Sequence, residues 1–164
     1  MNGCPRDNGA TQRLVDAFAE GARGAGNEVT EVRLAGLEIA QCRNCGSCAG
    51  GDPASPCVQV DGMARVYAEF ASCDVVAFAS PLYFWTVTGC LKTAVDRLYA
   101  ELRCLGYAGF ERECALLMTA GGSDYSQAVR WYRTFERNLG WTNLGEVLGA
   151  GREGKARSLG ARIG

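Results

Sequence analysis

The sequence predicts an α/β fold in which a parallel sheet carries helices on both faces. Stretches whose apolar residues recur at helical spacing alternate along the chain with short apolar runs, which is typical of βαβ units. Two of these runs, 75–79 and 114–119, are apolar almost throughout, as strands are when both of their faces are covered. The length of 164 residues fits one domain, so we expect residues 1–164 to form a single unit.

The N-terminal half is predicted to hold two helices and two strands around an irregular loop. Residues 11–22 carry apolar side chains at helical spacing and are expected to form the first helix. A short strand over 28–34 and a cysteine- and glycine-rich loop over 40–56 are expected next. Asp61 is expected to cap the second helix, and the apolar run at 75–79 follows that helix as a strand.

The C-terminal half repeats the alternation of helix and strand. Gly140 is expected to end the longest helix there, since glycine is favoured just after a helix. In chain order we expect a helix over 89–102, a strand over 114–119, a helix over 125–139, a strand over 141–148, and a short helix or a frayed end after Gly151.

The composition excludes several classes of function. The chain has no histidine, which removes Ser-His-Asp and Cys-His nucleophiles and every metal site that needs imidazole. A formal net charge of -1 argues against a nucleic-acid partner, because such proteins usually present a basic face. The sequence shows neither the apolar core of a signal peptide nor a membrane span, and its nine cysteines favour the cytoplasm, where thiols stay reduced.

Residues 2–11, NGCPRDNGAT, form a turn-rich segment that leads directly into the first predicted helix. Glycines let backbone amides converge, and the N-terminus of a helix favours an anion. Arg6 adds a permanent positive charge and Thr11 adds a hydroxyl. The segment fits neither the Walker nor the dinucleotide glycine pattern, so a phosphate site and a plain turn both remain open.

The predicted fold needs a strand before this N-terminal loop, whereas the sequence starts at the loop. We therefore expect that the native protein carries residues upstream of Met1, and that they form a central strand of the sheet. The alternative is that another segment of the chain, or a neighbouring chain, fills the gap.

Four cysteines lie close together in the predicted loop. Cys42, Cys45 and Cys48 are spaced C-x2-C-x2-C, and Cys57 follows eight residues later. Thiolates at this spacing can hold a [4Fe–4S] cluster or zinc, and they can also be free thiols. Metal identity is not encoded in the spacing, so the three alternatives stay open. The remaining cysteines of the predicted helices and strands are interpreted as small core residues: Cys73, Cys90, Cys104 and Cys114.

Three segments, in this order, resemble the flavodoxin-like NAD(P)H-dependent FMN reductases, a family that includes the iron-sulfur flavoproteins. NGCPRDNGAT is similar to the phosphate loop of the family, and CRNCGSC with CVQVDGM is similar to its cysteine loop. ASPLYFWTVTGCLKTAVDRL is similar to the flavin-contacting segment, and TAGGSDY to a second flavin-side loop. The chain departs from the family pattern at Cys4, Ala10 and Gly62, where serine, asparagine and a second aspartate are common.

The resemblance implies a flavodoxin-like three-layer fold with a parallel sheet in the order 2-1-3-4-5, of which this chain lacks the first strand. Residues 1–164 would form one FMN-binding domain with a cysteine-rich insertion at 40–57. The implied cofactor is FMN, with NAD(P)H as co-substrate, a [4Fe–4S] cluster in the iron-sulfur branch, and a homo-oligomeric assembly.

The resemblance also assigns positions to the site. The phosphate would be held at Cys4, Arg6, Asn8, Ala10 and Thr11. The edge of the isoalloxazine ring would be contacted at Pro81, Leu82, Tyr83, Phe84 and Trp85, and its other side at Gly121, Gly122 and Ser123. Without the resemblance, the aromatic segment can also be interpreted as an apolar loop or a dimer contact, and it can serve both functions. Asp96 and Arg97 are interpreted as a pair on a helix surface with a structural role.

These assignments predict an FMN-dependent oxidoreductase that uses NAD(P)H to reduce a flavin, a quinone or a similar small electrophile. The chemistry belongs to the cofactor, so no acid–base residue is named. One alternative is an iron-sulfur flavoprotein electron carrier that exchanges electrons with a ferredoxin-like protein. The other is a non-enzymatic module that binds zinc or a partner.

Overall fold

A parallel three-stranded sheet forms the middle layer of the computed structural model, which describes residues 1–48 and 55–164. Its strands are β1 (Val75–Pro81), β2 (Glu113–Thr119) and β3 (Thr142–Leu148), in the order β1-β2-β3. All three strands lie where the sequence predicts them. Residues 49–54 of the predicted cysteine loop lie outside the described residues.

The helices of the described residues lie before, between and after these strands. They are α1 (Ala10–Gly24), α2 (Met63–Ser72), α3 (Gly89–Arg97), α4 (Tyr99–Phe110), α5 (Ser126–Leu139) and α6 (Glu153–Gly160), with a short 3₁₀ turn at Leu34–Gly36. Among the helices in the described part of the chain, none combines the length and the apolarity that crossing a bilayer requires.

Side chains of β2 alternate between two cores, one on each face of the sheet. Cys114 and Leu116 belong to the core that α2, α3, α4 and α5 cover, whereas Ala115 and Leu117 belong to the core under α1 and α6. All four side chains are fully buried. The near-continuous apolar run therefore reflects a strand covered on both faces, which confirms the prediction.

Two sequence predictions are wrong in detail. The segment 28–34 forms no strand, because Asn2 is its one bridged neighbour, at Arg33, and a single bridge does not make a ladder. The helix predicted over 89–102 is two helices, α3 and α4, which meet at Leu98. Gly106 interrupts α4 with a φ of 71°. The residues from Gly106 to Phe110 therefore do not continue the helical spacing of apolar residues, and the sequence did not predict that they belong to this helix.

The first three residues lie in the sheet, between the 28–34 segment and β1. Asn2 donates its N–H to the carbonyl of Val32 at 2.8 Å, and Gly3 donates its N–H to the carbonyl of Ala79 at 2.9 Å. The bridges of Asn2 to both neighbours are parallel. The 28–34 segment and Asn2 therefore lie beside β1 in the places that the order 2-1-3-4-5 gives to strands 2 and 1, but isolated bridges hold them there and the sheet itself has three strands.

Helices α1 and α6 pack against each other through two glycines. A Cβ on Gly21 would overlap the carbonyl oxygen of Arg157, and a Cβ on Gly160 would overlap that of Phe18. The backbones of the two helices therefore approach more closely than any residue with a side chain would allow.

We predict that Gly21→Ala lowers the free energy of unfolding by about 1–3 kcal/mol, because the added methyl forces the two backbones apart. Gly24→Ala in the same helix is the matched control, since a Cβ there meets nothing within 4 Å. Urea unfolding of both variants measures the difference. Equal stabilities would show that the helices separate without cost.

Candidate functional site

Three loops meet at the carboxyl edge of the sheet: residues 3–9 before α1, 82–88 after β1, and 120–125 after β2. The hydroxyls of Thr11 and Thr119 lie 2.6 Å apart, which ties the start of α1 to the end of β2. Leu82 donates its N–H to the carbonyl of Thr119 at 2.8 Å, which ties the second loop to the same point. The structure thus brings together the three segments that the sequence selects.

The N-terminus of α1 lacks a side-chain cap among the described residues. Gly9 precedes the helix, no side chain of residues 1–48 and 55–164 caps it, and its first turn holds no acidic residue. The first N–H groups of this 15-residue helix are therefore not capped by a described side chain, and the helix dipole makes this end attractive to an anion. Arg6 and Asn8 are exposed in the loop beside it, and the Asp7 carboxylate is paired with Arg33 at 2.6 Å.

Two of the predicted phosphate residues have internal partners. Cys4 is buried, and its thiol donates to the carbonyl of Arg6 at 3.4 Å. Thr11 is buried and paired with Thr119. These two side chains stabilise the loop through internal hydrogen bonds. Arg6 and Asn8 are exposed to solvent, and Ala10 is the first residue of α1.

The loop after β1 ends in a tight two-residue turn. Tyr83 and Thr86 exchange both of their backbone hydrogen bonds, at 2.9 and 3.1 Å. Between them, Phe84 and Trp85 have φ values of 45° and 64°, which bulky side chains rarely adopt. Backbone strain of this kind is found at functional sites.

The aromatic side chains of this turn project into solvent. Phe84 is 91% exposed, and Tyr83 and Trp85 are each 50% exposed. The base of the turn is fixed, because Thr88 donates its N–H to the Ser80 hydroxyl at 2.9 Å. A rigid, strained and apolar turn therefore stands beside the open end of α1.

The loop after β2 exposes its backbone to solvent at residues 121–124. Gly121, Gly122 and Ser123 are exposed, and a Cβ on either glycine would meet nothing within 4 Å. Asp124 accepts the N–H of Ser126 at 3.0 Å. Hydrogen bonding from Ser126 lowers the pKa of Asp124, so this carboxylate stays charged at the start of α5.

A buried ion pair closes the base of the cysteine loop. Arg97 is 2% exposed, and its Nη1 donates to Asp61 Oδ2 and to the carbonyl of Ala40, both at 2.8 Å. Its Nη2 lies 3.5 Å from the sulfur of Cys57. One guanidinium therefore holds both ends of the loop, before its first cysteine and after its last.

Asp61 has two functions in this arrangement. Its Oδ1 accepts the N–H of Met63, the first residue of α2, at 3.0 Å, although Gly62 is the residue directly before the helix. Burial raises the pKa of Asp61, but hydrogen bonds from Arg97 and from the N–H groups of Met63 and Ala40 outweigh burial. The net result is a pKa below the usual value for aspartate, so the pair is ionised at neutral pH.

The prediction that Asp96 and Arg97 form a pair on the helix surface is wrong. Asp96 pairs with Lys92 on the exposed side of α3, whereas Arg97 points inward to Asp61. Arg97 follows Ala94 by three residues, so helical spacing places it on the buried face. That signal was available in the sequence, but its charge favoured a solvent-exposed interpretation.

The cysteines of the loop differ in environment. Cys42 and Cys45 are exposed, whereas Cys48 and Cys57 are partly buried. Hydrogen bonding from Ser47 lowers the pKa of Cys45. Within residues 1–48 and 55–164, no three Cys, Asp or Glu side chains are placed to hold one metal ion.

Of the four cysteines interpreted as core residues, Cys114 is fully buried, as predicted. Cys73 and Cys90 are partly buried against the core. Cys104 differs, because its thiol lies 3.9 Å from the carbonyl oxygen of Cys48. Helix α4 therefore brings a fifth cysteine to the cysteine loop, a contact that helical spacing alone does not reveal.

Comparison with known proteins identifies relatives of this chain. Residues 1–152 match the model of the family described as NADPH-dependent FMN reductase, which confirms the resemblance. An iron-sulfur flavoprotein of Archaeoglobus fulgidus is 35% identical over 97 residues, which is 58% of this chain and 42% of that protein. The matched segment therefore spans less than half the length of that relative.

Solved structures share the fold at low sequence identity. The NAD(P)H:quinone oxidoreductase from Methanothermobacter marburgensis has a TM-score of 0.72 and 16% identity, covering 99% of this chain and 95% of the other. RosB, solved with the bound intermediate 8-demethyl-8-formylriboflavin-5'-phosphate, has a TM-score of 0.70 and 16% identity over 98% of this chain and 72% of its own. These neighbours confirm the predicted fold class.

We predict that Phe84→Gly is more stable than Phe84→Ala by about 1 kcal/mol, because both remove the ring but only glycine adopts a positive φ freely. The same pair of substitutions at Tyr83 is the control, since Tyr83 has no positive φ and alanine should be favoured there. Urea unfolding of the four variants measures both differences. A preference for alanine at Phe84 would mean that the turn is not left-handed in solution.

We predict that Arg97→Met lowers the free energy of unfolding at pH 7 by about 3–5 kcal/mol, because it leaves the Asp61 carboxylate without its buried partner. In the wild-type chain the lowered pKa of Asp61 stabilises the fold above about pH 4, and this contribution is lost as the pH falls further. The deficit of the variant should therefore shrink below pH 4.

Lys92→Met is the control, since it breaks an exposed pair of the same helix and should cost at most about 0.5 kcal/mol. Urea unfolding of both variants between pH 3 and 7 gives the comparison. A deficit for Arg97→Met that is small or independent of pH would contradict the buried ion pair.

Proposed function

The chain belongs to the NADPH-dependent FMN reductase family, and from that premise we propose that it is a flavoprotein oxidoreductase that binds FMN at the carboxyl edge of the sheet. It would take reducing equivalents from NAD(P)H and pass them to a flavin, a quinone or a similar small electrophile. The observation that carries this proposal is the meeting of the three loops. An open helix N-terminus, a projecting aromatic turn and a glycine loop lie at one edge.

The N-terminal loop suits the phosphate of FMN. The first N–H groups of α1 supply donors without an acceptor, and Arg6 supplies a full positive charge in the adjoining loop. Asn8 adds an amide, whereas Cys4 and Thr11 hold the loop in shape through their internal bonds. Phosphate recognition would therefore depend on backbone and Arg6 more than on a set of polar side chains.

The other two loops suit the ring system. Pro81 and Leu82 offer backbone at the end of β1, and the strained turn at Phe84 and Trp85 offers apolar surface for stacking. Gly121 and Gly122 leave open space in the loop after β2, and Ser123 is exposed beside them, so backbone there can approach a planar ring. RosB carries a riboflavin phosphate derivative on the same fold, which supports this placement.

When bound, FMN would supply the hydride chemistry. The residues of this chain would bind the phosphate, orient the ring and exclude water from one face of it with Phe84 and Trp85. The sequence has no histidine, and we assign no residue to proton transfer. We also propose a cytoplasmic location and a homo-oligomeric assembly.

A second candidate function is electron carriage by an iron-sulfur flavoprotein. The 35% identity to a protein of that name and the C-x2-C-x2-C spacing at Cys42, Cys45 and Cys48 favour it. Cys57 is held at the base of the same loop by Arg97, which would fix a fourth thiolate. The cysteine loop could hold a [4Fe–4S] cluster, hold zinc, or carry free thiols. A [4Fe–4S] cluster would imply a ferredoxin-like protein as the partner.

We predict that Arg6→Gln weakens FMN binding about 10-fold, because it removes one charge-assisted contact to the phosphate. Riboflavin has the same ring and no phosphate, so its affinity should not change. Arg13→Gln is the control, since Arg13 lies on α1 and is paired with Glu153. Flavin fluorescence titration gives all the dissociation constants. An equal loss for FMN and riboflavin would contradict phosphate binding at this loop.

We predict that protein purified without oxygen shows flavin absorbance and oxidises NAD(P)H in the presence of a quinone. Iron and sulfide analysis of the same sample tests the second candidate function. Cys42→Ser should abolish any bound iron, whereas Cys114→Ser should retain it, because Cys114 is buried in the core away from the loop. Iron retained after Cys42→Ser would contradict a cluster in the cysteine loop.

A further inference from the structure

A thiol of helix α4 lies against the cysteine loop. The sulfur of Cys104 is 3.9 Å from the carbonyl oxygen of Cys48, although 56 residues separate the two positions in the sequence. Both side chains are partly buried, so each is held by its surroundings and still reaches solvent. The binding of FMN, as proposed above, makes no use of Cys104.

Helix α4 directs Cys104 towards the loop. Ala100 and Glu101 are buried and precede Cys104 by four and three residues, so helical spacing places all three on the inner face of α4. Gly106, whose φ is 71°, interrupts the helix only after Cys104. The thiol is therefore carried by regular helical backbone, on the side of α4 that packs inward.

Cys48 lies in the turn at residues 46–48 and packs against the core. Standard bond lengths and the distance from sulfur to carbonyl place the Cα atoms of Cys48 and Cys104 within about 9 Å of each other. A disulfide needs about 4.4–6.8 Å between these atoms, so the turn has to move by no more than about 2–3 Å. A turn can move in this way because its backbone lacks the regular hydrogen bonds of a helix.

The sulfurs of the other loop cysteines have polar partners of their own. Cys42 accepts a backbone N–H at 3.4 Å, and Cys45 is hydrogen-bonded to Ser47. Cys57 lies 3.5 Å from Nη2 of Arg97. Among the side chains that the structure describes, no three are placed to hold one metal ion. The arrangement therefore favours a pair of thiols between the loop and α4 over a preformed metal site.

We propose that Cys48 and Cys104 form a redox-active pair, which hydrogen peroxide oxidises to a disulfide that joins the cysteine loop to α4. One thiolate attacks a peroxide oxygen, the O–O bond breaks, and the sulfur becomes a sulfenic acid as hydroxide leaves. The second sulfur displaces the sulfenic hydroxyl as water, and the S–S bond forms. The proton that the first thiol lost converts the hydroxide to water. The sulfur atoms thus lose two electrons, which the peroxide gains.

The disulfide would change the loop in two ways. It would stabilise the fold, because it restricts the conformations of the unfolded chain. It would also remove Cys48 from the C-x2-C-x2-C set, so that the set could hold a metal ion only in the reduced chain. This second effect rests on the second candidate function, whereas the disulfide itself does not. A small thiol such as glutathione would reverse both effects by exchange.

The test treats the full chain, reduced and then freed of reductant, with equimolar hydrogen peroxide. Remaining thiols are blocked with iodoacetamide before digestion with trypsin. Trypsin places the two cysteines in the peptides 44–65 and 104–112, and Cys104 is the single cysteine of the second peptide. We expect mass spectrometry to show these peptides linked through Cys48 in most molecules, and dithiothreitol to release them.

The melting temperature gives a second readout. We expect the oxidised wild-type chain to melt about 5–10 °C above its reduced form. Cys48→Ser and Cys104→Ser should each melt at the same temperature with and without peroxide. Cys73→Ser is the matched control and should keep the shift, since it replaces another partly buried thiol, which donates to the carbonyl of Phe70 at 3.3 Å.

Two outcomes would overturn the proposal. One is complete alkylation of Cys104 after peroxide treatment, whether a bridge joins Cys45 to Cys48 instead or a bound metal ion holds Cys48. The other is a melting shift of the same size in Cys104→Ser. Neither readout involves FMN, so either failure would leave the proposed oxidoreductase function unaffected.

Discussion

The candidate site depends on the backbone bonds that hold Asn2 and Gly3 between the 28–34 segment and β1. These bonds place the following loop at the carboxyl edge of the sheet, directly before α1. Gly3 must be a glycine there, because a Cβ would overlap the Thr88 hydroxyl at the start of α3. The N-terminal loop and the aromatic turn are therefore fixed relative to each other by backbone contact.

Helix α3 connects the two regions in which chemistry is expected. It begins directly after the loop that carries the aromatic turn, and its last residue, Arg97, holds the base of the cysteine loop. The pair with Asp61 is buried, and each partner would be costly to leave alone in the interior. A group bound in the cysteine loop would thus be anchored to the same rigid element that supports the flavin-side segment.

Much of the fold could be predicted because buried faces of helices and strands carry apolar residues at regular spacing. The runs 75–79 of β1 and 114–118 of β2 are apolar, and α5 ends at a glycine with positive φ. The three loops could be placed by the rule that ligands lie at the carboxyl ends of parallel strands. The ion pair of Arg97 could not be predicted, since Asp61 lies 36 residues away in the sequence. The left-handed turn at Phe84 could not be predicted either, because bulky residues such as Phe and Trp rarely adopt a positive φ.

The most direct measurement is an experimental electron-density map of the protein crystallised with FMN. We expect the phosphate to lie on the first N–H groups of α1, beside Arg6, and the ring to lie between the turn at Phe84 and the loop at Gly121. A flavin bound elsewhere, or residues 3–9 folded away from an anion, would contradict the proposed site.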